Sequence, residues 1–308
     1  MSAGERVAVG VGGASAIGVP DPDDLLRVVR TALAEDLRYG PDATTAATVE
    51  RDAVAVAAFV PRAGGVLAGV PAVRAVMDEV LGPDEAVGGY DVLTARPDGS
   101  RLGPGEPALV VRAPVRGVLT AERTALNLLC HLSGIATATA SWVDAVAGTG
   151  ARIRDTRKTL PGLRLLEKYA VRCGGGVNHR LGLGDAVLIK DNHVAAAGSV
   201  GAALHRARAA APDLPCEVEV DSLDQLDEVL ALGAELVLLD NFSVVQTAEA
   251  VRRRGSARTL LESSGGLVLA NARAYAETGV DFLAVGALTH SVIALDLGLD
   301  LRTPDLRG

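Results

Sequence analysis

After Gly148 the chain repeats one short pattern: an apolar run, a polar cluster directly behind it, then a helix-like segment. The runs are ARI at 151–153, AVLI at 186–189, CEVEV at 216–220, LVLL at 236–239, TLL at 259–261 and FLAV at 282–285. Strands buried on both faces read as continuous apolar runs, and strands separated by helices pair in parallel. This half is therefore read as an α/β barrel of six or seven parallel strands. Reactive groups in such barrels sit at the C-terminal strand ends, which is where the polar clusters stand.

Upstream the texture differs. Between residues 53 and 118 the strand-like runs VAVAAFV, GGVLAG, YDVLTA and ALVVRA are short and broken by Gly and Pro. That punctuation predicts a mixed α+β sandwich. One helix is predicted behind Asp21-Pro22-Asp23-Asp24. Another runs from Thr120 to about Ala140, with Arg123, Asn127 and His131 as one polar stripe on an otherwise apolar helix. The domain reading is a flexible tail over 1–20, a sandwich or cap domain over 21–135 joined by the C-terminal segment 290–308, and the barrel over 136–289. The tail's GVGGASAIG lacks the G-x-G-x-x-G spacing of a dinucleotide loop.

A length of 308 residues suits two domains without disulfide staples, and 49% hydrophobic content excludes disorder. Cys130, Cys173 and Cys216 form no C-x-x-C pair, which argues against a thiolate zinc site and suits a reducing cytoplasm. No apolar run reaches the roughly 18 residues of a membrane span, and no signal peptide is expected. A net charge of −8 with 3% aromatic residues argues against a nucleic-acid surface.

The acidity is uneven. Residues 151–193 hold nine Lys and Arg against four Asp and Glu, so the rest of the chain carries −13. All three lysines, Lys158, Lys168 and Lys190, lie in this segment. A positive segment in an acidic chain predicts a focused anion site. Arg157, Lys158, Arg180 and Lys190, with His179 and His193, stand at strand ends or in the Gly-rich loop 173–180. Arg offers a planar fork and Lys a point charge, so the mixture predicts a substrate with more than one anionic group. Ser263-Ser264-Gly265-Gly266 and Gly286-Ala287 close the last two strands, where barrels bind phosphate. Glu219 and Asp240 end successive strands and can meet Mg²⁺ or ribose hydroxyls, or hold the nearby cations. The two histidines have no compact metal spacing.

These residues form runs that match a known family: ERTALN at 122–127, DTRKT at 155–159, KYAV at 168–171, GGGVNHR at 174–180, IKDNH at 189–193, EVEV at 217–220, LDN at 239–241 and ESSGG at 262–266. From about residue 21 to about residue 301 the chain resembles the quinolinate phosphoribosyltransferases. The resemblance implies attack of quinolinate on C1 of phosphoribosyl pyrophosphate, loss of pyrophosphate and CO₂, and formation of nicotinate mononucleotide for NAD synthesis. It also implies Mg²⁺, and a homodimer or higher even oligomer in which the sandwich of one subunit caps the barrel mouth of another.

By the resemblance, Arg157, His179, Arg180 and Lys190 bind quinolinate, with Arg123 supplied by the partner subunit. Thr156, Lys158, Glu219, Asp240, Ser264, Gly265, Gly266, Gly286, Ala287 and His290 match positions around phosphoribosyl pyrophosphate. Lys158, Glu219 and Asp240 are the catalytic candidates, and the two carboxylates the Mg²⁺ candidates. Decarboxylation needs no organic cofactor, because N-ribosylation makes the ring nitrogen the electron sink. Three rivals are a paralogue of altered reaction, a Schiff-base aldolase using Lys190, and a phosphate-binding regulatory protein. The second leaves the Arg cluster unexplained, and the third needs neither Glu219 nor Asp240.

Overall fold

The computed structural model describes residues 17–82 and 89–302. In chain order its elements are α1 (Pro22–Asp36), α2 (Ala43–Thr48), β1 (Val54–Pro61), β2 (Gly65–Val66), α3 (Val70–Leu81), β3 (Asp91–Ala95), β4 (Arg101–Leu102), β5 (Leu109–Pro114), α4 (Val115–Ala145) and β6 (Arg152–Arg154). Then come α5 (Arg164–Cys173), β7 (Val187–Ile189), α6 (Asp191–Ala197), α7 (Val200–Ala210), β8 (Cys216–Val220), α8 (Leu223–Ala231), β9 (Leu236–Asp240), α9 (Val244–Arg254), β10 (Leu260–Ser264), α10 (Leu269–Ala276), β11 (Phe282–Ala284) and β12 (Leu297–Arg302). The described residues divide into two compact units, one of 17–138, 160–175 and 291–302, the other of 139–159 and 176–290.

In the first unit an antiparallel sheet has the order β12-β1-β5-β3. The last strand lies beside the first, in register from Val56 with Arg302 to Pro61 with Leu297. Alternation along β1 buries Ala55, Ala57 and Phe59. α1 opens with Pro22 behind Asp21, whose carboxylate accepts the Asp24 N–H at 2.8 Å. α4 extends the predicted 120–140 run at both ends and buries Leu129, Leu132 and Ile135. On it Gly134 admits the returning C-terminal segment, since a Cβ there would lie 2.5 Å from the Ile293 carbonyl oxygen.

Two features of the first unit stand beside the sequence reading. The segment 160–175, from within the span read as the barrel, packs in this unit. The reason is α5, which buries Leu166, Tyr169, Ala170 and Val171 and sends the Tyr169 hydroxyl to Asp98 at 2.7 Å. Of the expected tail, residues 1–16 lie outside the described residues. Ile17 is tethered by Arg172, whose Nε donates to its carbonyl at 3.0 Å.

The second unit is a parallel sheet of order β6-β11-β10-β9-β8-β7. The last strand pairs back with the first, Leu283 opposite Ile153, as an α/β barrel requires. The allowed seventh strand shrinks to one parallel bridge, Val177 beside Arg154. Val218, Val237, Leu239, Leu261 and Leu283 are fully buried in the strands. Helices follow the strands, with Ser199, Ser222 and Ser243 capping α7, α8 and α9. No helix among the described residues is long and apolar enough to cross a membrane.

Candidate active site

A cavity of about 490 Å³ opens at the C-terminal ends of the barrel strands. Side chains two apart on a strand share a face, so β7, β9 and β10 each lend the interior a floor residue and a rim residue. Leu188 and Lys190 come from β7 and its end, Leu238 and Asp240 from β9, and Glu262 and Ser264 from β10. The register aligns them: Leu238 stands opposite both Glu219 and Glu262, and Ser264 opposite both Asp240 and Ala284.

The wall after β6 holds Thr156, Arg157 and Lys158, and faces His179 and Arg180 from the Gly-rich loop. Asp155, fully buried, fixes that loop: its carboxylate accepts the His179 N–H at 2.7 Å and the Asn178 amide at 2.6 Å. Arg180 also donates to the Ala186 carbonyl at 3.1 Å. The Nε atoms of Arg157 and Arg180 are buried with no hydrogen-bond partner among the described residues. Burial, and then the charge of Arg157, lowers the proton affinity of the Arg180 guanidinium. Two neighbouring cations with unused buried donors are a receptor for anionic oxygens.

Beneath lies a buried cluster. Arg154 donates to Glu262 at 2.6 Å and stands 3.8 Å from Glu217. His179 Nε2 is 2.9 Å from Glu217 and 3.6 Å from Glu262. Burial pushes both carboxyl groups up to about 7, the charge of Arg154 opposing the rise in each. His179, Glu217 and Glu262 lie close enough to share a metal ion. Arg154 already occupies that space with positive charge, so the cluster reads as a polar foundation rather than a metal cage.

At the rim, Glu219 is ion-paired with Lys190, and Asp240 accepts the Asn241 side-chain amide at 2.9 Å. The loop after β10 needs its glycines. Gly265 has φ +85°, and a Cβ there would collide with the Asn241 side-chain oxygen. Asn241 itself is left-handed, φ 55°. At the next strand end, Gly286 lets the Lys158 stem pass, with 3.0 Å from Lys158 Cδ to a Cβ built there, and the Thr289 hydroxyl donates to the Lys158 carbonyl at 2.7 Å.

The cavity thus brings together Thr156, Arg157, Lys158, His179, Arg180, Lys190, Glu219, Asp240, Ser264 and Gly265. Gly266, Gly286, Ala287 and His290 are not among its lining residues, and Arg123 belongs to the first unit, exposed on α4. Sequence reasoning missed Glu262, Asn241, Leu188, Leu238 and Ala284 in the lining, and Arg154 and Glu217 below it. Strand parity was the available signal: Glu217 lies two before Glu219, and Glu262 two before Ser264.

Comparison with known proteins gives consistent matches. Residues 42–133 and 135–300 match the family models described as quinolinate phosphoribosyl transferase, N-terminal domain and C-terminal domain. A nicotinate-nucleotide pyrophosphorylase (carboxylating) of Mycobacterium leprae is 66% identical over 275 residues, covering 89% of this chain and 95% of that protein. The human protein of the same description is 38% identical over 285 residues, 91% of this chain and 92% of its own. The crystal structure of NadC from Streptococcus pyogenes has a TM-score of 0.86 at 38% identity, covering 94% of this chain and 100% of that one.

Proposed function

Because the chain belongs to the quinolinate phosphoribosyltransferase family, we infer the roles of its barrel-mouth residues from that family's reaction. The enzyme transfers the phosphoribosyl group of phosphoribosyl pyrophosphate to quinolinate with decarboxylation, giving nicotinate mononucleotide, pyrophosphate and CO₂ in NAD biosynthesis. The observation that carries the assignment of roles is the pair of buried, unpartnered Nε atoms on Arg157 and Arg180. Mutual repulsion between adjacent cations is relieved when an anion bridges them. A ring with two adjacent carboxylates fits that demand, with Lys190 at the rim as a third cation.

The other wall takes the phosphoribosyl donor. The Ser264-Gly265-Gly266 loop and the Gly286-Ala287 turn, with His290 just beyond, cradle the 5-phosphate through backbone N–H groups. Glu219 and Asp240 face the ribose, where carboxylates stabilise oxocarbenium character developing at C1. Lys158, with Thr156 beside it, meets the departing pyrophosphate. Glu219 and Asp240 are hard oxygen donors at the rim, and two carboxylates together with substrate phosphates are a usual Mg²⁺ environment. Bound there, the ion would neutralise charge growing on pyrophosphate. The protein works in the cytoplasm as a homodimer whose partner subunit lends Arg123. A Schiff-base role for Lys190 fares poorly, since that lysine is ion-paired and nearly half exposed rather than desolvated.

The test is an assay with quinolinate and phosphoribosyl pyrophosphate, with and without Mg²⁺, following CO₂ and nicotinate mononucleotide. Both products form together and depend on Mg²⁺, and nicotinate in place of quinolinate gives little. Equal reaction with nicotinate removes the dicarboxylate clamp.

A further inference from the structure

His179 has both ring nitrogens engaged, and by groups of opposite kind. The Arg180 backbone N–H donates to Nδ1 at 2.7 Å. That nitrogen presents its lone pair and carries no proton. The ring's proton is then on Nε2, aimed at Glu217 at 2.9 Å. The charged groups around the ring are Glu217 on β8, Glu262 on β10, Arg154 on β6, Asp155 on the wall and Arg180 in its own loop. Two carboxylates would ordinarily favour an imidazolium. Protonating Nδ1 here sets N–H against N–H and breaks the bond that seats Arg180.

We infer that His179 is a neutral Nε2–H donor, a positioning residue that locks the Arg180 backbone onto the buried cluster and adds no charge to the anion clamp. This rests on the reading of Arg180 as a quinolinate ligand. It has a chemical use. Every cation near the substrate carboxylates favours their anionic form and opposes loss of CO₂. A neutral ring fixes the clamp's geometry without adding to that opposition.

Nitrogen-resolved NMR of the full-length protein, labelled on histidine, tests the protonation directly. The His179 signals are identified by their absence from His179→Asn, or by elimination using variants of His131, His193, His205 and His290. The expected result is a bare Nδ1 and a protonated Nε2, unchanged from about pH 6 to about pH 8 with and without quinolinate. Two protonated nitrogens near neutral pH overturn the inference. A double-mutant cycle tests the positioning. His179→Ala should weaken quinolinate binding about tenfold, the scale of one lost hydrogen bond beside a charged group. His179→Asn, whose side-chain oxygen can accept the Arg180 N–H, should recover most of it. In an Arg180→Ala background, His179→Ala should cost nothing more, and losses that multiply overturn the proposal. Failure of the assigned reaction would look different, as no quinolinate turnover with the tautomer intact.

Discussion

Lys190 Nζ is ion-paired with the Glu219 carboxylate across the ends of β7 and β8, the lysine side chain 46% exposed and the glutamate 12%. A rim pair of that exposure contributes about 0–1 kcal/mol to stability. In the proposed reading each partner serves a different substrate, so its importance lies in the reaction. Lys190→Ala is therefore expected to denature within about 1 kcal/mol of the parent while losing most of its turnover. Denaturant titration beside steady-state kinetics checks this. A large fall in stability would make the pair a structural brace instead.

Arg157→Ala and Arg180→Ala should each weaken quinolinate binding by more than about tenfold, since one charge-assisted pair is worth about 1.5–3 kcal/mol. Binding of phosphoribosyl pyrophosphate should change much less. Titration calorimetry of the folded variants with each substrate separates the two walls of the cavity. Unchanged quinolinate affinity in both variants returns these arginines to the scaffold.

The buried acids give the fold a pH dependence. An unfolded glutamate ionises above about 4.5, whereas burial first, and then the charge of Glu217, hold the Glu262 proton to about 7. Between those values the folded chain binds more protons than the unfolded one, so stability falls as pH rises through the window. Glu262→Gln keeps an acceptor for Arg154 and needs no proton. Its unfolding midpoint should fall less between about pH 5 and pH 7 than that of the parent. Identical slopes would show that Glu262 is not the responsible acid.

If Arg123 serves the neighbouring subunit's barrel, Arg123→Ala and Lys190→Ala should each be nearly inactive alone and active when mixed. A heterodimer of the two holds one doubly damaged site and one intact site. Mixed dimers should approach half of the parental activity once subunit exchange has been verified by mass. Verified exchange without recovered turnover would place Arg123 within its own chain's site.

Much of this was legible in the residues, for identifiable reasons. The six barrel strands are short apolar runs with polar ends, and burial on both faces makes such runs conspicuous. The rim residues were legible because they follow those runs directly. Glu217 was not, because it lies inside its strand and looks like an interruption of an apolar pattern until the period of two is applied; Glu262, directly behind the run 259–261, reads as a rim residue until β10 is seen to run on to Ser264. The amphipathic pattern of α5 tells which face is buried but not which neighbour covers it; Tyr169 and its bond to Asp98 decide that. The seventh strand left no apolar run, being one residue, Val177, in a glycine-rich loop.

The pairing of β12 with β1 orders events in time. A chain made from its N-terminus exposes β1, β5 and β3 long before Leu297–Arg302 exists. The barrel strands from β7 to β11 are all synthesised before β12. Throughout that interval one edge of β1 is unpaired, with its backbone N–H and C=O groups open to any extended segment nearby. Nascent chains crowded on one message are thus prone to pair with one another until β12 has emerged. Arrival of β12 is the step that closes this edge.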